Sequence, residues 1–242
     1  MLSLESLREF TKKYQTKETN VLREYVQHLF LSSLYRFPGS ERLLFKGGTA
    51  LRIIYQSPRF SEDLDFTGQN IYAASTIDAL FISAVAEVEK SGIHIELKEA
   101  KPTTGGYLGI IRYELYDFTE DMKFEVSLRR GTAANKEVSS IMNDYHPSYP
   151  LFHLAPSEIV RGKMAALLDR QKPRDYYDLY FILRHPELSH YVDKKLLPRV
   201  KESVLKSRIN FKKELTVLLP VSHHLLLKEF SRVLSTEILK YL

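Results

Sequence analysis

Two aspartates one residue apart, Asp63 and Asp65, lie in the segment Phe60-Ser61-Glu62-Asp63-Leu64-Asp65-Phe66. On an extended strand, side chains at i and i+2 share a face, so the two carboxylates project together while Leu64 and Phe66 point into a core. Carboxylates held side by side repel each other and resist deprotonation unless a cation lies between them. Hard oxygen ligands of this kind suit Mg²⁺, which takes one or two carboxylates and completes its shell with substrate phosphates. An isolated Asp-x-Asp is more often a solvated edge strand with two surface acids. The neighbouring residues change that reading.

Upstream runs Lys46-Gly47-Gly48-Thr49-Ala50-Leu51-Arg52, a strand end, a glycine pair and a helix start expected at Thr49. Such a turn brings backbone N–H groups close to a phosphate, and the helix N-terminus favours negative charge. Lys46 adds a full positive charge at the same corner. Downstream, Lys123-Phe124-Glu125-Val126-Ser127-Leu128 alternates, with Phe124, Val126 and Leu128 on one face and Glu125 on the other. Glu125 is therefore either a third metal carboxylate or an acid on an exposed strand face. Further on, Lys163, Leu167 and Arg170 fall at four- and three-residue steps of one helix. Arg174, Asp175 and Asp178 continue the charge on a second helix opened by Pro173. Charges so placed are usually salt bridges of an amphipathic pair. Lys163, flanked by Val160, Met164 and Leu167, instead reads as a partly enclosed lysine aimed at an anion.

Four ordered motifs carry a family resemblance. They are Lys-Gly-Gly-Thr-Ala-Leu-Arg (46–52), Arg-Phe-Ser-Glu-Asp-Leu-Asp-Phe (59–66), Lys-x-x-Ala-Leu-x-x-Arg (163–170) and Pro-Arg-Asp-x-x-Asp-Leu (173–179). In this order they resemble the AbiEii/AbiGii toxin family of bacterial nucleotidyltransferases, from about Leu43 to Leu183 and patchily between 67 and 120. The resemblance implies an α+β fold: a polymerase-β-like core, a mixed sheet with flanking helices, then an all-helical C-terminal region. It implies NTP as substrate, Mg²⁺ as cofactor, and a toxin paired with a separately encoded antitoxin. Some relatives add nucleotides to the 3′ end of tRNA, so RNA is the expected acceptor. By position, Asp63 and Asp65 would hold metal, with Glu125 as the third candidate where such enzymes often carry Asp. Lys46, Gly47, Gly48, Thr49, Ser61, Lys163, Arg170 and Arg174 would form the nucleotide site, and Asp175 or Asp178 would complete the catalytic set. Ser61 matches a serine that an antitoxin phosphorylates in some relatives. The alternatives are transfer to a small molecule or protein, or a non-catalytic nucleic-acid- or protein-binding module.

The elements that must position these residues are legible in outline. Val21, Leu22, Tyr25, Val26, Leu29, Phe30 and Leu34 recur at the helical period, giving a helical lead over 6–36 that Pro38-Gly39 ends. Strands are expected at 43–45, 63–66, 93–97, 107–116 and 122–128, and a helix at 71–89. The 131–156 stretch, with prolines at 147, 150 and 156, reads as loop, and helices fill the rest. A nucleotidyltransferase core over 1–150 and a helical domain over 151–242 follow. The chain has 242 residues, 44% of them hydrophobic, enough for a packed core. Its net charge of +5 suits a polyanionic partner. There is no cysteine, which excludes disulfides and thiolate metal sites. With no signal-peptide pattern and no apolar run long enough to span a bilayer, the expected location is the cytoplasm, with no membrane partner.

Overall fold

Buried and exposed residues alternate along the strand that carries Phe124, while Phe45 and Phe66 lie on nearly fully buried strands, and together they give the sheet an aromatic inner face. The computed structural model describes residues 1–71, 73–128, 134–206 and 209–242. The chain divides into two units, Met1–Gln56 with Phe60–Leu154, and Ser57–Arg59 with Ala155–Leu242.

In the first unit, α1 (Leu4–Lys13) and α2 (Glu18–Leu34) replace the single helical lead. Ser3 caps α1 by accepting from the Ser6 amide at 3.0 Å. Gln15, at φ +50°, breaks the run before Lys17 turns extended to open α2. There follow β1 (Leu43–Lys46), α3 (Gly47–Ile53), β2 (Leu64–Gly68), α4 (Ala74–Glu89), β3 (His94–Thr103), β4 (Gly106–Leu115) and β5 (Phe118–Leu128). Helix α4 begins three residues later than the periodicity predicts, and Tyr72, within that prediction, lies outside the described residues.

The 131–156 loop expectation is corrected. Residues 131–133 lie outside the described residues, but β6 (Lys136–Ile141) and β7 (Tyr149–Leu154) occupy much of the remainder. Pro150 sits within β7 opposite Ser140 and removes one ladder donor. Burial of Tyr149, Leu151, His153 and Leu154 outweighs that loss. The sheet order is β3-β4-β5-β2-β1-β7-β6. It is mixed: β2 runs parallel to β5 and β1 parallel to β7, while β1 and β2 are antiparallel. Phe66 and Phe124 meet at 4.8 Å between ring centres, and Phe30, Phe45 and Phe81 from α2, β1 and α4 close the cluster at 5.0–5.6 Å.

Helix α2 also buries polar side chains, several of them matched to partners across the fold. Glu24 pairs with Arg52 at 2.8 Å, and His28 shares a 2.8 Å hydrogen bond with the Tyr149 hydroxyl. Burial, reinforced by the Arg52 charge, lowers the His28 pKa to about 3. The unfolded chain takes up this proton near pH 6.5 and the folded chain does not, so His28 costs stability as pH falls from about 6.5 to about 3. The slope approaches about 1.4 kcal/mol per pH unit. Urea unfolding at pH 7, 6 and 5 should therefore show the parent losing stability faster than His28→Asn; equal slopes refute the assignment. Glu24, whose pKa burial raises, is common to both proteins and cancels.

In the second unit, α5 (Pro156–Arg170) and α6 (Pro173–Arg184) each open on a proline, the residue whose missing N–H and fixed φ suit a first helical turn. Helices α7 (Leu197–Lys206), α8 (Phe211–Leu218) and α9 (Phe230–Leu239) follow. Phe211 and Phe230 pack at 4.8 Å, with Tyr176 and Tyr177 against them. Among the described residues no helix is long and apolar enough to cross a membrane.

Candidate active site

Strand register brings the sequence-predicted acids and lysine abreast. Asp65 on β2 stands opposite Lys46 on β1 and opposite Glu125 on β5. Asp63 directly precedes β2 rather than lying on it, and both aspartates are half-buried beside the fully buried Leu64 and Phe66. The Lys46 ammonium donates to the hydroxyl of Ser127, two residues beyond Glu125 on β5, at 2.5 Å.

At the end of β1 the chain turns sharply into α3. Gly47 takes φ +87°, and a Cβ built there would lie 2.1 Å from Asp65 Oδ2. Only glycine lets the Asp65 carboxylate sit against the backbone that opens the helix. The helix starts at Gly47, which corrects the start expected at Thr49. Thr49 is fully buried, and its hydroxyl donates to the Asp63 carbonyl at 2.5 Å. It thereby fixes the segment carrying the two aspartates. On the other side Gln27 donates to the Ser61 and Glu62 carbonyls, each at 3.0 Å. Nothing in the sequence pattern of α2 singles out Gln27 for this work. Gly47→Ala is expected to lower stability by about 1–3 kcal/mol through left-handed strain, before any displacement of Asp65. A thermal melt checks it; an unchanged midpoint would mean that the turn takes a side chain at this φ without strain.

The donor set fits a metal whose remaining ligands come from a substrate. The Asp65 carboxylate lies against a turn rich in backbone N–H groups, with the half-buried Asp63 two residues before it, and oxygen ligands beside such a turn suit Mg²⁺ and phosphate together. Among the described residues no three His, Cys, Asp or Glu side chains converge as a ready-made metal centre. Glu125 is exposed beside Asp65 and does not complete such a group.

In the second unit the motif charges gather on two buried aspartates. Asp178, 1% exposed, accepts from Arg59 Nε at 2.8 Å, Arg59 Nη2 at 3.0 Å and Lys163 Nζ at 2.7 Å. Burial raises its pKa, but the Arg59 and Lys163 charges outweigh burial and hold it below the usual carboxylate value. Asp175, 2% exposed, accepts a forked pair from Arg170 at 2.7–3.1 Å and the Lys172 amide at 3.1 Å, which fixes the first turn of α6. Arg174 pairs with Glu214 at 2.5 Å. The structure thus joins Lys163 to Asp178 and Arg170 to Asp175. It adds Arg59, which stands in one of the motifs but to which the sequence assigns no role.

A family model described as nucleotidyl transferase AbiEii toxin, type IV toxin–antitoxin system, matches residues 29–239. No curated protein matches the chain in sequence. Among solved structures, a putative nucleotidyltransferase from Helicobacter pylori is 22% identical over 93% of this chain and 95% of its own, with a TM-score of 0.64. JHP933 from the same organism is 22% identical over 93% of each chain, with a TM-score of 0.62. MenT4, a nucleotidyltransferase toxin from Mycobacterium tuberculosis H37Rv, is 20% identical over 92% of this chain and 84% of its own, with a TM-score of 0.60. At these identities the likenesses concern the fold.

Proposed function

Because the chain belongs to the AbiEii nucleotidyl transferase toxin family of type IV toxin–antitoxin systems, we propose that it transfers a nucleoside monophosphate to the 3′ end of an RNA, tRNA first among candidates. A nucleotidyltransferase of this family takes a nucleoside triphosphate and a divalent metal, and its toxin role implies an antitoxin partner. In this reading the metal is Mg²⁺, the reaction is cytoplasmic, and residues 1–150 and 151–242 are the catalytic core and a helical domain.

One observation carries the reading: Asp65 sits against the Gly47 turn, in register with Lys46 and Glu125. The metal, when bound, neutralises charge on the triphosphate and favours in-line attack at the α-phosphorus. The chain's own groups do the rest. Asp63 and Asp65 would hold the cation. Amides of the Gly47-Gly48 turn and Lys46 receive phosphate oxygens. Lys163 supplies a further charge to the triphosphate. A carboxylate, Glu125 or Asp65, accepts the acceptor hydroxyl's proton as the new phosphodiester bond forms and pyrophosphate departs. Phosphorylation of Ser61 by the antitoxin would place about −1.5 to −2 charges beside the two aspartates and exclude the triphosphate. The +5 net charge supports a polyanionic acceptor.

The deciding experiment incubates the purified protein with Mg²⁺, total RNA and each labelled NTP in turn. Label in RNA of tRNA length is expected; label only in small molecules or protein overturns the RNA reading. Lys163→Ala should weaken NTP binding by about tenfold, more than an exposed ion pair would account for. Lys201→Ala, on α7, serves as the comparison and should match the parent. Parental binding by Lys163→Ala would leave Lys163 only as a counter-ion of the buried Asp178.

A further inference from the structure

Arg59, Asp178 and Lys163 form a buried trio with two positive charges and one negative. The guanidinium is 2% exposed and forks onto both Asp178 oxygens, at 2.8 and 3.0 Å. A fork of this kind is the strongest and most oriented bond a carboxylate accepts. The Lys163 ammonium meets Asp178 Oδ2 alone, at 2.7 Å, and its side chain is 11% exposed. Asp175, whose charge also reaches Arg59, is matched by its own fork from Arg170. Lys163 is thus the more exposed and less tightly held of the two cations on one carboxylate. Burying the Arg59–Asp178 pair costs desolvation that its own attraction only roughly offsets.

We infer that Arg59 is a positioning residue that keeps the Lys163 charge available: by neutralising Asp178 through its fork, it frees the Lys163 ammonium to act as the trio's net positive charge toward a triphosphate. Without Arg59, Asp178 would hold Lys163 as its sole counter-ion, and the trio would be neutral. With neither Arg59 nor the Asp178 charge, Lys163 would again carry one net positive charge. This rests on the proposal that Lys163 meets phosphate, and the test separates the two.

The measurement is the Kd of a fluorescent NTP analogue with Mg²⁺, on protein shown by circular dichroism to be folded. Arg59→Met is expected to raise Kd by about tenfold, as Lys163→Ala does. Arg59→Met combined with Asp178→Asn restores the net charge and should return Kd to within about threefold of the parent. A purely structural role for Arg59 moves the folded fraction and leaves the Kd of folded protein alone. Folded Arg59→Met with parental Kd, beside a weakened Lys163→Ala, overturns this inference and spares the phosphate reading of Lys163. Parental Kd in Lys163→Ala overturns that reading and this inference with it. If Arg59→Met does not fold, the double variant decides: parent-like Kd supports the inference, and binding as weak as that of Lys163→Ala overturns it.

Discussion

Asp63→Ala and Asp65→Ala should each abolish nucleotide transfer, by about a hundredfold or more, while leaving a folded protein. The Asp65 carboxylate lies against the Gly47 turn, and Asp63 directly precedes the strand that carries it. Circular dichroism at the assay temperature should show either variant folded. A silent enzyme that remains folded distinguishes a ligand from an acid the fold cannot do without. Transfer is read as labelled monophosphate incorporated at saturating Mg²⁺ and NTP. Activity within tenfold of the parent in either variant would remove Asp63 and Asp65 from the metal site. Glu125→Gln, assayed alongside, separates a general base from a bystander: a base lost to an amide slows transfer without changing NTP affinity.

Much of this site is legible in the sequence because its logic is local. Leu64-Asp65-Phe66 states its own facing by alternation, which does not show that Asp63 falls just before the strand, and Gly47-Gly48 between an apolar strand and a helical period states a turn. Local pattern does not reveal which strands become neighbours. That Asp65 faces Lys46 on one side and Glu125 on the other depends on the order β5-β2-β1, a property of the whole sheet. Pro147 and Pro150 concealed β6 and β7, since proline signals a loop and only the burial of Leu151 and His153 in the assembled sheet overrides it. The same limit explains the helix start: Thr49 has the residue type of an N-cap, yet Gly47 alone tolerates the positive φ and the close approach of Asp65 that the turn needs. Arg59 escaped assignment because its carboxylate partner is 119 residues away. A motif residue with no local role is a candidate for a distant one.

Asp178→Leu should be among the most destabilising single changes in the chain, costing about 3–5 kcal/mol. It leaves the Arg59 guanidinium without the carboxylate it forks onto, at a position from which water is excluded. The cost is that of a stranded charge rather than of a lost contact, and a second variant tests this. Replacing the whole trio by apolar groups, as Arg59→Met, Lys163→Met and Asp178→Leu together, removes the stranded charges and should recover most of the lost stability. Nucleotide use should not return with it. A pH series gives an independent check. The folded pKa of Asp178 lies below its ordinary value of 3.8, so its stabilisation is fully present above that value and disappears as pH falls through the lower, folded pKa. The triple variant should lack this acid-sensitive component. Denaturant unfolding of the parent, Asp178→Leu and the triple variant at neutral pH measures the ordering. If Asp178→Leu lies within about 1 kcal/mol of the parent, the trio is too well hydrated for Arg59 to depend on Asp178.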